Sequence, residues 1–118
     1  MISDSKYQRY IRLDVPTRFG ALAADLARVT SASMIPAIHA VPDLLQESRY
    51  FAEWSASDLL PDRVDDAARL VDIQRGLTYW YHRWNQIVND ISEREKLATQ
   101  AQQWSDEVLK MSGLLDQE

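Results

Sequence analysis

The sequence predicts an all-α fold: a compact, four-helix-like bundle with a long central helix and a short irregular N-terminal arm. Apolar residues recur at three- and four-residue spacing over most of the chain, which is the period of a helix with one buried face. Glycine occurs only 3 times, and the Val/Ile/Thr alternation that marks strands is missing after the first fourteen positions. Prolines fall where the periodicity breaks. With 118 residues the chain fits one domain, 1–118, and folding at this size hides about two-thirds of the surface of the unfolded chain.

The arm, 1–14, supports two patterns. Tyr7, Arg9, Ile11 and Leu13 alternate with Gln8, Tyr10 and Arg12, whereas Tyr7, Tyr10 and Ile11 suit one helical face; both stay open. A first helix over 15–33 starts near Pro16, whose missing N–H has no partner in a first turn. It carries Phe19, Leu22, Ala23, Leu26, Ala27 and Val29 at helical spacing. After the connector "AIHAV", Pro42 opens a second helix, 42–56, with Asp43 against its positive end and Leu44, Leu45, Ser48, Phe51, Ala52 and Trp54 as its inner stripe.

"SASDLLPD" interrupts the pattern, and a long helix over 62–90 follows. One apolar stripe runs Leu70, Ile73, Leu77, Trp80, Trp84 and Ile87; a second runs Val64, Ala67, Val71, Gln74, Thr78, Tyr81, Asn85 and Val88. Two stripes predict burial of more than half the circumference. A length on the order of 40 Å exceeds what a small bundle needs. The last helix, 93–112, is read as starting at "SERE", a capping box of Ser92 and Glu95. Leu97, Ala101, Trp104, Val108 and Met111 form its stripe, and Gly113 followed by Leu114 reads as a left-handed cap with its hydrophobic contact. The short connection predicts that the last two helices lie antiparallel.

Composition narrows function by exclusion. There is no cysteine, so disulfides, thiolate metal sites and cysteine nucleophiles are absent; a cytoplasmic protein is expected. No secretion signal or membrane-length apolar run occurs, and no membrane partner is expected. A net charge of −5 with pI near 4.9 opposes binding to a phosphate backbone, and Lys6, Arg9 and Arg12 in the arm are flanked by Asp4 and Asp14; no nucleic-acid partner is expected. Ten arginines stand against three lysines, a ratio suited to forked, specific hydrogen bonding.

No chemistry-bearing constellation emerges. His39 and His82 lack the acid three positions earlier that a bundle metal site uses, so neither a metal nor a cofactor is expected. Asp62, Asp65 and Asp66 share one first turn, but the second acidic pair of a magnesium site is missing, and carboxylates at that end are stabilised by the helix dipole alone. No phosphate loop or nucleophile elbow is present.

The concentration of aromatics in "LTYWYHRWNQI", Leu77 to Ile87, is the one segment that suggests binding. Trp80 and Trp84 lie on the core stripe, while Tyr79, His82, Arg83 and Gln86 lie outward; Tyr, Trp and Arg are the residues enriched at interaction surfaces. The expected function is a non-enzymatic interaction or regulatory module, self-associating as a homodimer or binding another protein. The alternatives are a planar ligand held among Trp54, Trp80, Trp84 and Tyr81, with His82 or Arg83 at its polar end, and a magnesium-dependent phosphohydrolase using Asp62, Asp65 and Asp66.

Overall fold

The computed structural model describes residues 4–35 and 40–113. Within them lie five helices and no strand: α1 Asp4–Ile11, α2 Val15–Met34, α3 Ala40–Asp58, α4 Val64–Ile87 and α5 Ile91–Ser112. The all-α bundle predicted from periodicity is the architecture observed. Helices α2 to α5 run up-down-up-down, each packed against its sequence neighbour and α5 closing back on α2. The "AIHAV" connector falls largely on residues 36–39, outside the described part, as does the Leu114 contact.

The arm is not irregular: α1 is a helix. A lone strand there would leave its backbone groups unpaired, whereas the helix turns Tyr10 into the α2/α3 groove, where it is 2% exposed and stacks on Phe51 with ring centroids 4.0 Å apart. The Tyr10 hydroxyl donates toward the Arg18 carbonyl at 3.1 Å and lies 2.6 Å from Ser55 Oγ. Tyr7 meets Trp54 edge-on, and Lys6 pairs with Glu47. Next, Asp14 caps α2 by accepting the Thr17 N–H at 2.9 Å, with Pro16 in the first turn as read from the sequence. That hydrogen bonding holds the Asp14 carboxyl below its ordinary value.

Helix α4 is shorter than the predicted 62–90. Its 24 residues exceed α5 by only two, a length of about 36 Å within a molecule whose longest extent is 42 Å. It occupies one corner of the ring rather than a centre, and no excess length projects beyond the bundle. Only one stripe is buried, the Leu70, Ile73, Leu77, Trp80, Trp84 and Ile87 set with Ala67. The second stripe is a flank: Val71, Tyr81 and Val88 are half-buried against the core, and Val64 is exposed.

The capping box at Ser92 is also overturned. Helix α5 begins at Ile91, and Asp90 is its cap, accepting the Glu93 N–H at 3.2 Å. Because α4 stops at Ile87, α5 starts two residues sooner than the motif suggests, which leaves Ser92 and Glu95 exposed inside the helix. The other end matches the reading: Gly113 is left-handed at φ 74° and donates to the Lys110 carbonyl.

Packing distances between helices follow side-chain size. The α2/α5 seam is lined by small residues, close enough for Ser105 Oγ to donate to the Ala23 carbonyl at 2.7 Å and Thr30 Oγ1 to the Ala98 carbonyl at 3.1 Å. Helices α4 and α5 are antiparallel but stand farther apart, because indoles lie between them. Trp104, 5% exposed, lies over Gly76 so closely that a Cβ there would come within 2.5 Å of the ring. Arg69 and Glu107 bridge the same seam as a two-pronged ion pair, and this carboxylate raises the Arg69 pKa.

The arginine-rich composition is explained at the helix ends, where the last carbonyls lack intrahelical donors. Arg18 donates to the carbonyls of Ile11 and Leu13 while pairing with Asp58. Arg94 donates to those of Val88 and Ser33, and Arg63 to that of Met111. Three forked cations thus join helix termini that are remote in sequence.

Candidate functional site

The aromatic segment lies in the C-terminal half of α4, and the helix sorts it by angle. Trp84 faces inward and is 2% exposed; its buried indole N–H has no hydrogen-bond partner among the described residues. Trp80, 9% exposed, sits at the edge of the core. Its ring meets that of Tyr79 edge-on, with centroids 5.5 Å apart and planes at 79°.

Tyr79 projects outward and is 51% exposed. The Arg83 guanidinium lies over its ring, 5.1 Å from the centroid, and donates to the Tyr79 hydroxyl. This is the i,i+4 geometry of one helix turn. Gln86 and His82 are exposed, and His82 leans edge-on against Tyr81. Tyr81 is in turn covered by Arg49 of α3 at 5.4 Å.

Because α4 and α5 stand apart, a cleft of about 550 Å³ opens between them with Trp80 in its lining. Ser92, Glu95, Lys96, Thr99, Gln100 and Gln103 complete its walls. These supply donors and acceptors of both kinds with charges of both signs, which suits a polar, uncharged surface such as peptide amides better than a strongly charged ligand. The folded chain therefore brings together Tyr79, Trp80 and Arg83 beside a polar cleft.

Trp54 does not join them. It lies on α3 with Tyr7, Tyr10, Tyr50 and Phe51 as its aromatic neighbours. The four rings of a planar-ligand pocket are thereby distributed over a core position, a half-buried α1/α3 cluster and an outer face. The acids Asp62, Asp65 and Asp66 border a shallow polar depression with Arg63 and Val64, and Asp66 is engaged by Arg63. Among the described residues, no three His, Asp or Glu side chains converge as a metal ion requires.

A second concavity escaped the sequence reading. An apolar groove of about 430 Å³ runs between α3 and α4, lined by Ala56, Leu60, Val64, Ala67, Ala68 and Val71 with Glu53 at its edge. Leu60 and Val64 are more than half exposed. The signal lay in two aliphatics flanking "PDR" at a turn, where solvent-facing polar residues are usual.

In comparisons with known proteins, no family model matches the chain, and no curated protein or solved structure matches it. No helix among the described residues is long and apolar enough to cross a membrane.

Proposed function

We propose that this chain is a non-enzymatic protein-binding module of the cytoplasm, self-associating through the outer face of α4. The contacting set is Tyr79, His82, Arg83 and Gln86 with the edge of Trp80, and a second protein is the other occupant of that face. The observation that carries this reading is the Tyr79–Arg83 pair. A large aromatic is held half-exposed on a rigid helix with an arginine laid over it, beside a cleft lined by Trp80. Tyrosine and arginine dominate the energetics of many interfaces because each offers broad contact area with a polar handle.

Helix length gives no support to association, because α4 ends with the bundle. The support is chemical and local. A symmetric pair would bury this patch twice, since each copy offers the same surface. The absence of cysteine fits a reducing compartment.

Sedimentation of wild type and of the Tyr79→Ala/Arg83→Ala double variant at matched concentrations tests the proposal. Wild type is expected to associate at micromolar concentration. The variant should keep its melting temperature and weaken association by at least about thirtyfold, the loss of a 2 kcal/mol interface residue. Wild type that stays monomeric at high micromolar concentration, together with an affinity pull-down that yields no partner lost by the variant, would overturn it.

A further inference from the structure

Asp25 of α2 is 3% exposed, on the helix whose groove with α3 holds Tyr10 of α1. One carboxyl oxygen accepts from Arg28 at 2.7 Å, while Oδ2 is buried and has no hydrogen-bond partner among the described residues. An orphaned carboxylate oxygen of this kind is costly unless the group takes up a proton.

Helix α1 runs along the groove between α2 and α3. Tyr10 sits at the level of Arg18 and Ser55, and one turn earlier Lys6 pairs with Glu47 at 3.1 Å. Asp25 interacts electrostatically with Lys6 and Tyr10 of α1, with Glu47 of α3 and with Arg28 of its own helix. Arg18 and Asp58 pair with each other farther along, around Tyr10. Burial first, and the Glu47 carboxylate second, push Asp25 from the ordinary 3.8 to about 6. Arg28 and Lys6 pull in the opposite direction and lose. The Arg28 side chain is 64% exposed, where solvent screens it, and Lys6 is already engaged by Glu47.

We propose that α1 is a pH-responsive clasp over Asp25, closed on α2 and α3 while that carboxyl holds its proton and loosened when the carboxyl ionises. Opening hydrates the carboxylate and leaves its hydrogen-bond partner, Arg28, in place on α2; the attraction it gives up is that of Lys6, which Glu47 already engages. The same movement uncovers the ring faces of Phe51 and Trp54 that Tyr10 and Tyr7 occupy in the closed form. Ionisation in the physiological range thereby regulates access to an aromatic groove independent of the α4 face.

Amide hydrogen exchange of the full chain at pH 5 and pH 7.5, with intrinsic rates divided out, reads the opening directly. With Asp25 at 3.8 when open and about 6 when closed, linkage predicts that the opening constant rises about tenfold across this interval. The α1 amides are expected to be less protected than those of α5 at both pH values and to lose about tenfold in protection at the higher one. In Asp25→Asn their protection should be the same at both. The proposal is overturned if α1 protection is independent of pH in wild type, if α1 and α5 amides are equally protected at both pH values, or if Asp25→Asn retains the wild-type dependence. Should that variant not fold, the ¹³C carboxyl titration of wild-type Asp25 decides. A midpoint near 6 that coincides with the α1 transition supports the clasp, and an ordinary midpoint near 4 refutes it.

Discussion

Between α4 and α5, the ring of Trp104 lies against Gly76, and α4 buries no polar residue along its whole length. Between α1, α2 and α3, the buried set includes Arg18, Asp25, Ser48 and Ser55, with the Tyr10 hydroxyl at the centre of a hydrogen-bond cluster. The first region is held by shape. Its energy comes mainly from apolar area and from a glycine whose missing side chain is the seat of an indole, with the Arg69–Glu107 pair at its edge, so between pH 5 and 7.5 it responds chiefly to volume. The second is held by polar pairing that is incomplete, since Asp25 Oδ2 and Ser48 Oγ have no partners among the described residues. The Trp84 indole N–H on α4 is also unpartnered among the described residues, but it carries no charge, so the response to charge belongs to the second region through Asp25.

Substitutions at five positions sharpen that contrast. The largest effect is expected at Trp104→Ala, about 3–5 kcal/mol destabilising at any pH, because an indole wedged between two helices leaves a cavity that separated backbones cannot collapse. Denaturant unfolding at pH 5 and pH 7.5 measures it. A loss below about 1 kcal/mol, or one that changes with pH, would remove the distinction between the regions.

Asp25→Asn should act in the opposite direction. The folded-state pKa of Asp25 lies above the unfolded value, 3.8 against about 6, so the ionised form is disfavoured by folding. The resulting penalty is fully present above pH 6 and is relieved as pH falls through 6 toward 4. Its ceiling is about 3 kcal/mol, from 1.4 kcal/mol per unit. Asp25→Asn is therefore expected to stabilise by roughly 1–3 kcal/mol at pH 7.5 and by almost nothing at pH 4. Wild type itself should melt higher at pH 5 than at pH 7.5. Asp14, whose carboxyl is held below its ordinary value by Thr17, contributes with the reverse sign only below about pH 4 and leaves this window to Asp25. Melting curves across pH 4–8 for both proteins show whether the two curves converge at low pH, as required.

Gly76→Ala comes next, at about 1–3 kcal/mol, because the added methyl enters space held by the Trp104 ring. Combining it with Trp104→Phe should recover part of the loss, and a purely additive double variant would show that the two positions do not share one contact. The smallest effect is at the α5 start. Asp90→Ala should cost about 1 kcal/mol and Ser92→Ala under about 0.5 kcal/mol, since the first removes the cap and the second an exposed hydroxyl. Thermal melts that rank them in reverse would restore Ser92 as the cap.

Legibility varied in the same way. The α4 core stripe, the Trp104 stripe and the Gly113 cap could be read because each depends on residues within a turn or two of one another. The N-terminal arm could not, since Tyr10 chooses a helical conformation for partners at Ser55 and Phe51, some forty positions away. The α5 start was missed for a local reason. Asp90 and Ser92 both suit a cap, and where α4 stops decides between them. At the α4 face the outward direction of Tyr79 and Arg83 was legible from angle alone, whereas the cleft beside them was not, because its walls come from α5.

The sequence by itself determined that this chain is helical beyond its arm, where the core stripes of the last four helices run, and that Tyr79 and Arg83 share an outward side. Those properties follow from a period of 3.6 residues and from side-chain hydrophobicity, which act along one segment. Only the tertiary structure decided how far apart the helices stand, that an indole needs Gly76, and that Asp25 is buried with an oxygen unpaired. Interhelical distance is set by the sizes of side chains meeting from different segments. The cost of a buried charge depends on every element that displaces water from it, and neither quantity belongs to any one stretch of chain.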